Sequence, residues 1–268
     1  GSVPSAWLIL PTYNEADNLP RIAPLALAAL KQTGLDVTLL VVDDASPDGT
    51  GRIADKLAEH DARIRVLHRR SKEGIGPAYV AGFEQALSGG ADLLLQMDAD
   101  FSHDPADLPR LVAPVAAGEA DLVLGSRYVP GGRIERWGPL RRAVSRVGCL
   151  YAQTVLGVGV RDLTGGFKCI ARRVLEAVPP SSLHTNGYGF QIELTYRALR
   201  SGMRVREVPI TFREREHGKS KMSVAIALEA AWRVPALRLR VARTCSDGIV
   251  TVDSVREETT TWQDRSRT

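Results

Sequence analysis

The chain has 268 residues, of which 44% are hydrophobic and 25% charged, and its formal net charge is +4. That length can bury a real core in one large domain or two small ones, and the composition excludes fibrous and disordered classes. No apolar run reaches the ~18 to 20 residues that cross a bilayer. The three widely spaced cysteines, Cys149, Cys169 and Cys245, form neither a disulfide framework nor a zinc pattern and read as reduced thiols. The mild basic excess suits an anionic ligand or a membrane surface, and nothing asks for a nucleic acid.

The first half alternates between strand and helix patterns. Ala6 to Leu10 is a short apolar run that stops at Pro11, and Asn18 to Gln32 carries apolar residues at helical spacing. Val37 to Val42 reads as strand, Thr50 to Glu59 as helix, Ile64 to Leu67 as strand and Pro77 to Leu87 as helix. Leu93 to Met97 is again strand, Asp107 to Ala117 helix and Leu122 to Leu124 strand. Continuous apolar strands between helices predict an α/β fold with a mostly parallel sheet covered on both faces. Ligands of such sheets bind beyond the carboxyl ends of the strands. The polar motifs PTYNE, DDASPDGT, DAD and GSRY all fall there.

The second half is more basic. Arg133 to Leu156 reads as one or two amphipathic helices, Thr164 to Ala171 and Val205 to Phe212 as strands, and Phe190 to Arg200 as the helix between them. The divisions expected are a catalytic domain over 4–222, an amphipathic helix over 223–243 and a loosely ordered tail over 244–268. Trp7 and Phe83 are expected in the core, and Arg213 and Lys219 on the surface.

Two familiar phosphate motifs fail. Gly74-Ile75-Gly76 begins like a dinucleotide fingerprint, but it does not follow the first strand and ends on Tyr79. Gly218-Lys219-Ser220 resembles the end of a P-loop, but Arg213 stands where the first glycine belongs. What remains is Asp98-Ala99-Asp100 after LLLQM. Two carboxylates at a strand end can converge on one hard cation. Mg²⁺ typically takes one or two carboxylates together with substrate phosphates and water. Ser102 or His103 could add a ligand or orient a water. Asp43-Asp44 and Glu15 bring further acids to the same edge. Six arginines between Arg127 and Arg146, against Glu135 alone, suggest an anion site.

PTYNE (Pro11 to Glu15), VVDDASPDGT (Val41 to Thr50), DADFSH (Asp98 to His103) and GSRY (Gly125 to Tyr128), in this order, resemble the GT-A glycosyltransferases of family two. TGGFK (Thr164 to Lys168), GYGFQIE (Gly187 to Glu193) and FREREHGKSKM (Phe212 to Met222) resemble the polyprenol- and dolichol-phosphate mannose synthases among them. The resemblance implies a GT-A sheet and a nucleotide site in which Pro11, Tyr13, Glu15, Val42 and Asp44 hold the guanosine of GDP-mannose. It implies Mg²⁺ or Mn²⁺ on Asp98 and Asp100, with Ala99 against the nucleotide. Some members place a metal-binding Gln at the position of Ser102, so Ser102 or a water is the third ligand here. Arg127 would stand between donor and acceptor phosphates, with Asp100 and Arg127 as the catalytic pair. Arg141 and Ser145 would grip the lipid phosphate. Arg215, Ser220 and Lys221 would contact the donor diphosphate, and Gln191 the sugar.

No general base stands out, which would be an obstacle for an alcohol acceptor. A phosphate monoester needs none, because its second pKa is near ~6 and it is already mostly dianionic at neutral pH. Direct displacement on GDP-mannose would then invert the sugar and give polyprenyl-phosphate β-mannose. Arg133 to Leu156 and Ser223 to Arg243 could lie on a bilayer, placing the chain peripherally on the cytoplasmic face. Relatives gain attachment from extra helices or a membrane protein partner. Two other readings are a transferase for glucose or another sugar, and a nucleotide-binding partner without turnover.

Overall fold

The computed structural model describes residues 3–214 and 232–241. Seven strands form one sheet in the order β3-β2-β1-β4-β7-β5-β8. They are β1 (Ser5–Thr12), β2 (Asp36–Asp43), β3 (Ile64–His68), β4 (Leu93–Gln96), β5 (Leu122–Ser126), β7 (Lys168–Ala171) and β8 (Val205–Pro209). A separate pair joins β6 (Arg133–Ile134) to β9 (Thr211–Phe212). All neighbours in the large sheet are parallel except β7, which runs antiparallel to β4 and β5.

Strand side chains alternate between two apolar layers, which is why the strands read as unbroken apolar runs. Trp7, Ile9, Leu40, Val42, Leu94 and Leu124 face one layer. It is closed by α3 (Ile75–Ser88), α5 (Pro139–Leu156), α6 (Arg172–Ala177), α7 (Tyr188–Arg200) and the helical residues 232–241. Leu8, Leu10, Leu39, Val41, Leu95 and Val123 face the other, under α1 (Leu19–Lys31), α2 (Thr50–His60) and α4 (Leu108–Ala116). Trp7 and Phe83 are core residues, 2% and 0% exposed, as expected. Cys149 and Cys169 are buried free thiols, and Cys245 lies outside the described residues.

Four expectations are corrected. β1 does not stop at Pro11 but continues to Thr12, with Pro11 opposite Val42. Strand β4 ends opposite Ile9, so beyond that point β1 keeps only β2 as a neighbour and can accommodate a residue without an N–H. The strand over Thr164 to Ala171 begins only at Lys168, because Gly165 packs against the Gly125 carbonyl in a loop. Val205 to Phe212 is two strands: Ile210 donates to the Ser126 carbonyl, and the chain then passes to β6. Arg133 to Leu156 is not helical throughout: Arg133 and Ile134 are strand, and the helix starts at Pro139, a favourable first-turn proline.

The segment expected as a separate amphipathic helix over 223–243 is helical over its described part, 232–241. Val234, Leu237 and Val241 pack into the same core as α3 and α7. The 244–268 segment lies outside the described residues. Gly74 and Gly76 at the start of α3 serve close packing: a Cβ on Gly76 would stand 2.7 Å from the Thr185 carbonyl oxygen. That accounts for the glycines of the failed dinucleotide motif.

Candidate active site

The sheet reverses direction between β1 and β4: β2 and β3 lie on one side and the later strands on the other. The carboxyl ends of β1, β2, β4 and β5 meet there, which is where open α/β sheets form their crevice. Because β7 is antiparallel, the loop before it (Thr164 to Phe167) returns to the same edge. Four non-glycine residues have positive φ among those described: Asn14 (57°), Ala45 (55°), Phe101 (61°) and Arg136 (63°). The first three stand one each in PTYNE, DDAS and DADF. Such backbone costs roughly 1–3 kcal/mol per residue and gathers at functional sites.

Residues of β1 and β2 build one half of the edge. Asp43 is a brace: it accepts from Thr12 Oγ1 at 2.9 Å, Ser46 Oγ at 2.6 Å and Ser46 N at 3.1 Å. Asp44 is nearly buried and accepts from Arg69 Nη1 at 2.7 Å, while Arg69 Nη2 reaches Glu73 at 2.9 Å. Burial raises the Asp44 carboxyl above its usual range, and Arg69 opposes that shift. Glu15 accepts from Asn18 Nδ2 at 2.8 Å, and its N–H donates to Thr50 Oγ1 at 3.0 Å. The α2 cap is Gly49, and Asp48 Oδ1 accepts from the Thr50 N–H at 3.0 Å. Tyr13 remains 36% exposed, and Lys72 Nζ lies 3.7 Å above its ring. Pro11 is half-buried, and Val42 turns its side chain into the core.

The other half follows β4. Asp100 Oδ1 accepts from Ser102 N at 2.9 Å and from Ser102 Oγ at 2.5 Å, so Ser102 orients this carboxylate. His103 is buried: Nδ1 accepts from the Asp98 N–H at 3.3 Å, and the ring stacks 4.8 Å from Phe167. Ala99 is 3% exposed between the two acids. Beneath them the buried Tyr79 hydroxyl is held protonated, its pKa pushed well up by burial and then by Asp98 and Asp100. Among the described residues no group of three or more His, Cys, Asp or Glu gathers to hold a metal. Two carboxylates of hard oxygen fit a Mg²⁺- or Mn²⁺-type ion that completes its shell with diphosphate and water.

Phe212 connects this edge to a second feature. Its ring is 5.5 Å from His103 on one side and 5.2 Å from the Arg127 guanidinium on the other. Arg127 Nε and Nη2 donate to Asp162 Oδ2 and Oδ1 at 2.8 and 2.7 Å, and Nη2 also donates to Thr164 Oγ1 at 2.8 Å. Burial works against the Arg127 charge, but Asp162 outweighs it and raises the pKa. Beyond Arg127 opens a cleft of about 220 Å³ lined by Tyr128, Arg133, Arg142 and Arg146, with no carboxylate among the described residues of its lining. Because Asp162 neutralises Arg127, the free positive charge of the cleft belongs to the other three arginines.

Arg141 and Ser145 stand beside this cleft in other contacts. Arg141 stacks 3.9 Å from Trp137 and pairs with Glu214 at 2.5 Å. Ser145 accepts from the Tyr128 hydroxyl at 2.6 Å. Gln191 is buried on α7, where Lys168 Nζ donates to its Oε1 at 2.7 Å. Arg215, Ser220 and Lys221, and Lys219, lie outside the described residues. Arg213 is a surface residue in ion pairs with Asp104 and Glu135, as expected.

Asp162, which fixes Arg127, is absent from the residues singled out in the sequence. Its signal was an isolated acid inside VGVRDLTGGF, two residues before a flagged motif. Arg142 and Arg146 stood in the arginine run, but only the helical phase of α5 shows which of its arginines face the cleft.

Residues 7–178 match the model of glycosyl transferase family 2. The chain belongs to that family. It is therefore a glycosyltransferase. A polyprenol monophosphomannose synthase of Mycolicibacterium smegmatis is 48% identical over 91% of this chain and 90% of its own length. An undecaprenyl-phosphate mannosyltransferase of Micrococcus luteus is 47% identical over 84% of this chain and 90% of its own. Among solved structures, glucosyl-3-phosphoglycerate synthase of Mycobacterium tuberculosis with Mn²⁺ and UDP-glucose superposes with a TM-score of 0.63. That likeness covers 89% of this chain and 79% of the other at 22% identity, and it shows the GT-A fold.

Proposed function

We propose that this glycosyltransferase moves mannose from GDP-mannose to a polyprenyl, dolichyl-type phosphate by direct displacement, giving the β-mannosyl lipid with inversion. The observation that carries the reading is the arginine cleft beyond Arg127, whose described lining holds no acid and which Phe212 links, through His103, to the edge that carries Asp98 and Asp100. The names of the two close relatives support both the sugar and the lipid phosphate.

The donor would lie along the β1, β2 and β4 ends, with its base near Tyr13 and Asp44 and its diphosphate at Asp98 and Asp100. Asp98 and Asp100 would hold a Mg²⁺ or Mn²⁺, which would supply neutralisation of charge on the departing diphosphate. Arg127, fixed by Asp162 and Thr164, presents a rigid guanidinium between the two halves. Arg133, Arg142 and Arg146 attract and align the acceptor phosphate. No residue needs to remove a proton from a dianionic phosphate. Neither of the nearby buried nitrogen groups is placed to do so. His103 Nδ1 faces the Asp98 N–H, and Lys168 is fully buried against Gln191. Burial lowers the Lys168 pKa to about 7, with Asp162 opposing, but the side chain is 0% exposed.

This account makes Arg142→Ala and Arg146→Ala acceptor variants. Each should raise the KM for polyprenyl phosphate about tenfold, the scale of one lost charged hydrogen bond, with the KM for GDP-mannose unchanged. Steady-state kinetics with either substrate varied checks this, and a change confined to the donor KM would reject it. Incubation with GDP-mannose, polyprenyl phosphate and Mg²⁺ tests the function itself; no mannolipid across several lipids and detergents would reject it.

We also place the chain peripherally at the cytoplasmic face of the membrane. No helix among the described residues is long and apolar enough to cross a bilayer. Helix α5 exposes Leu140 (78%), Val147 (64%) and Leu150 (60%), and residues 232–241 expose Trp232 (75%) and Leu239 (63%). Arginines flank this apolar face, which is the pattern of an interfacial helix. Co-sedimentation with anionic vesicles should fall with rising salt and drop several-fold in Val147→Asp/Leu150→Asp. Binding indifferent to both would mean that a membrane protein partner, rather than this face, brings the chain to its lipid.

A further inference from the structure

We propose that Lys168 is a positioning residue for the donor sugar: it fixes the Gln191 carboxamide so that Nε2, and not Oε1, is turned toward the substrate. The inference rests on the proposed function and on the family resemblance, which implies that Gln191 contacts the sugar.

Lys168 opens β7 and is 0% exposed. Its Nζ donates to Gln191 Oε1 at 2.7 Å and to the Gln191 carbonyl oxygen at 3.1 Å. Both bonds run from Nζ to an oxygen, so the atom of the amide that faces the lysine is Oε1 and not Nε2. The lysine therefore removes the two-fold ambiguity of an amide and sends the NH₂ to the opposite side. That side is the loop before β7. A Cβ on Gly166 would lie 3.3 Å from Gln191 Nε2, which places the NH₂ against a loop that returns to the catalytic edge. Gly166 leaves room for the amide, and a side chain there would press on it.

The surroundings argue against a purely structural role. Gln96 lies directly across the sheet from Lys168, fully buried, and neither atom of its amide has a hydrogen-bond partner. Thr195, one turn after Gln191 on α7, is also fully buried with its hydroxyl unpartnered. Native cores leave few such groups, and a plain structural core would be more stable with apolar residues at these positions. A buried amine whose donors converge on one residue, under the edge where a sugar would sit, is explained by what that residue must present. An NH₂ so directed donates to a sugar hydroxyl oxygen, so it contributes to binding of the sugar and not of the nucleotide.

The test is the affinity of the full chain for GDP and for GDP-mannose, with kinetics on polyprenyl phosphate alongside. Lys168→Met and Gln191→Ala should each weaken GDP-mannose about tenfold or more, the scale of a lost charge-assisted hydrogen bond, and leave GDP binding within twofold. The double variant should be no worse than Gln191→Ala, because the lysine acts through the glutamine. Gln191→Glu, which keeps an oxygen facing Lys168 but replaces the NH₂ by an acceptor, should show the same selective loss and keeps the inference testable even if Lys168→Met does not fold. Additive effects, equal losses for GDP and GDP-mannose in folded variants, or unchanged GDP-mannose affinity in Gln191→Glu would overturn the inference. Failure of the functional reading is separate: it appears as absence of mannolipid with the unmutated chain.

Discussion

Asp100→Asn is expected to abolish metal-dependent GDP binding and to lower turnover about a thousandfold, the upper range for loss of one charge-stabilising group. The fold should survive. Asp100 Oδ1 accepts from Ser102 N and Oγ, and an Asn carbonyl oxygen can accept both. The second carboxylate oxygen becomes an NH₂, a donor where a cation needs an acceptor. One of the two proposed acidic ligands would then be lost, and the paired charge of Asp98 and Asp100 would no longer draw a cation in. GDP titrations with and without Mg²⁺ check this, beside a thermal melt. Unchanged Mg²⁺-dependent affinity would remove the metal role from this pair.

Asp162→Asn should have the largest effect on stability. The Arg127–Asp162 pair is buried, with side chains 6% and 0% exposed. Removing one partner of such a pair costs about 3–5 kcal/mol, because the remaining charge stays buried without compensation. For a domain of this size each kcal/mol moves the midpoint by roughly 2–4 °C, so a fall of about 6–20 °C is expected. Activity should fall as well, since Arg127 would lose the contacts that fix its guanidinium. Thermal and denaturant unfolding of the variant measure the first effect. A change below about 0.5 kcal/mol, typical of a surface substitution, would mean that the pair does not hold this region together.

The fold was legible where one constraint dominated. Leu39 to Val42 and Leu93 to Leu95 are buried on both faces, so their sequence has no polar interruption and the strand is plain. The limits appear where tertiary contacts override local pattern. Pro11 looks like a stop, yet β1 passes through it because β4 has already ended. Val205 to Phe212 looks continuous, yet Ile210 carries the chain from one sheet to another. Helix α6 has only six residues, too few for a periodicity to show.

Similarly, the site was legible as motifs and not as contacts. Asp98 and Asp100 stood out because like charges should not end a buried strand. Asp43 and Asp44 looked equivalent, and only the structure separates them: Asp43 braces two loops, and Asp44 stays with Arg69 near the edge. The arginine run pointed to an anion, but the turn of α5 directs Arg142 and Arg146 to the cleft and Arg141 to Trp137 and Glu214. Asp162 was invisible because its partner is 35 residues away.

The most direct measurement is the initial rate of sugar transfer to a polyprenyl phosphate from a panel of nucleotide sugars, with the corresponding polyprenol as a second acceptor. The expected result is a mannolipid from GDP-mannose and the phosphate alone, needing Mg²⁺ or Mn²⁺. Preference for UDP-glucose would contradict the assigned sugar, and comparable transfer to the alcohol would contradict a site built without a general base.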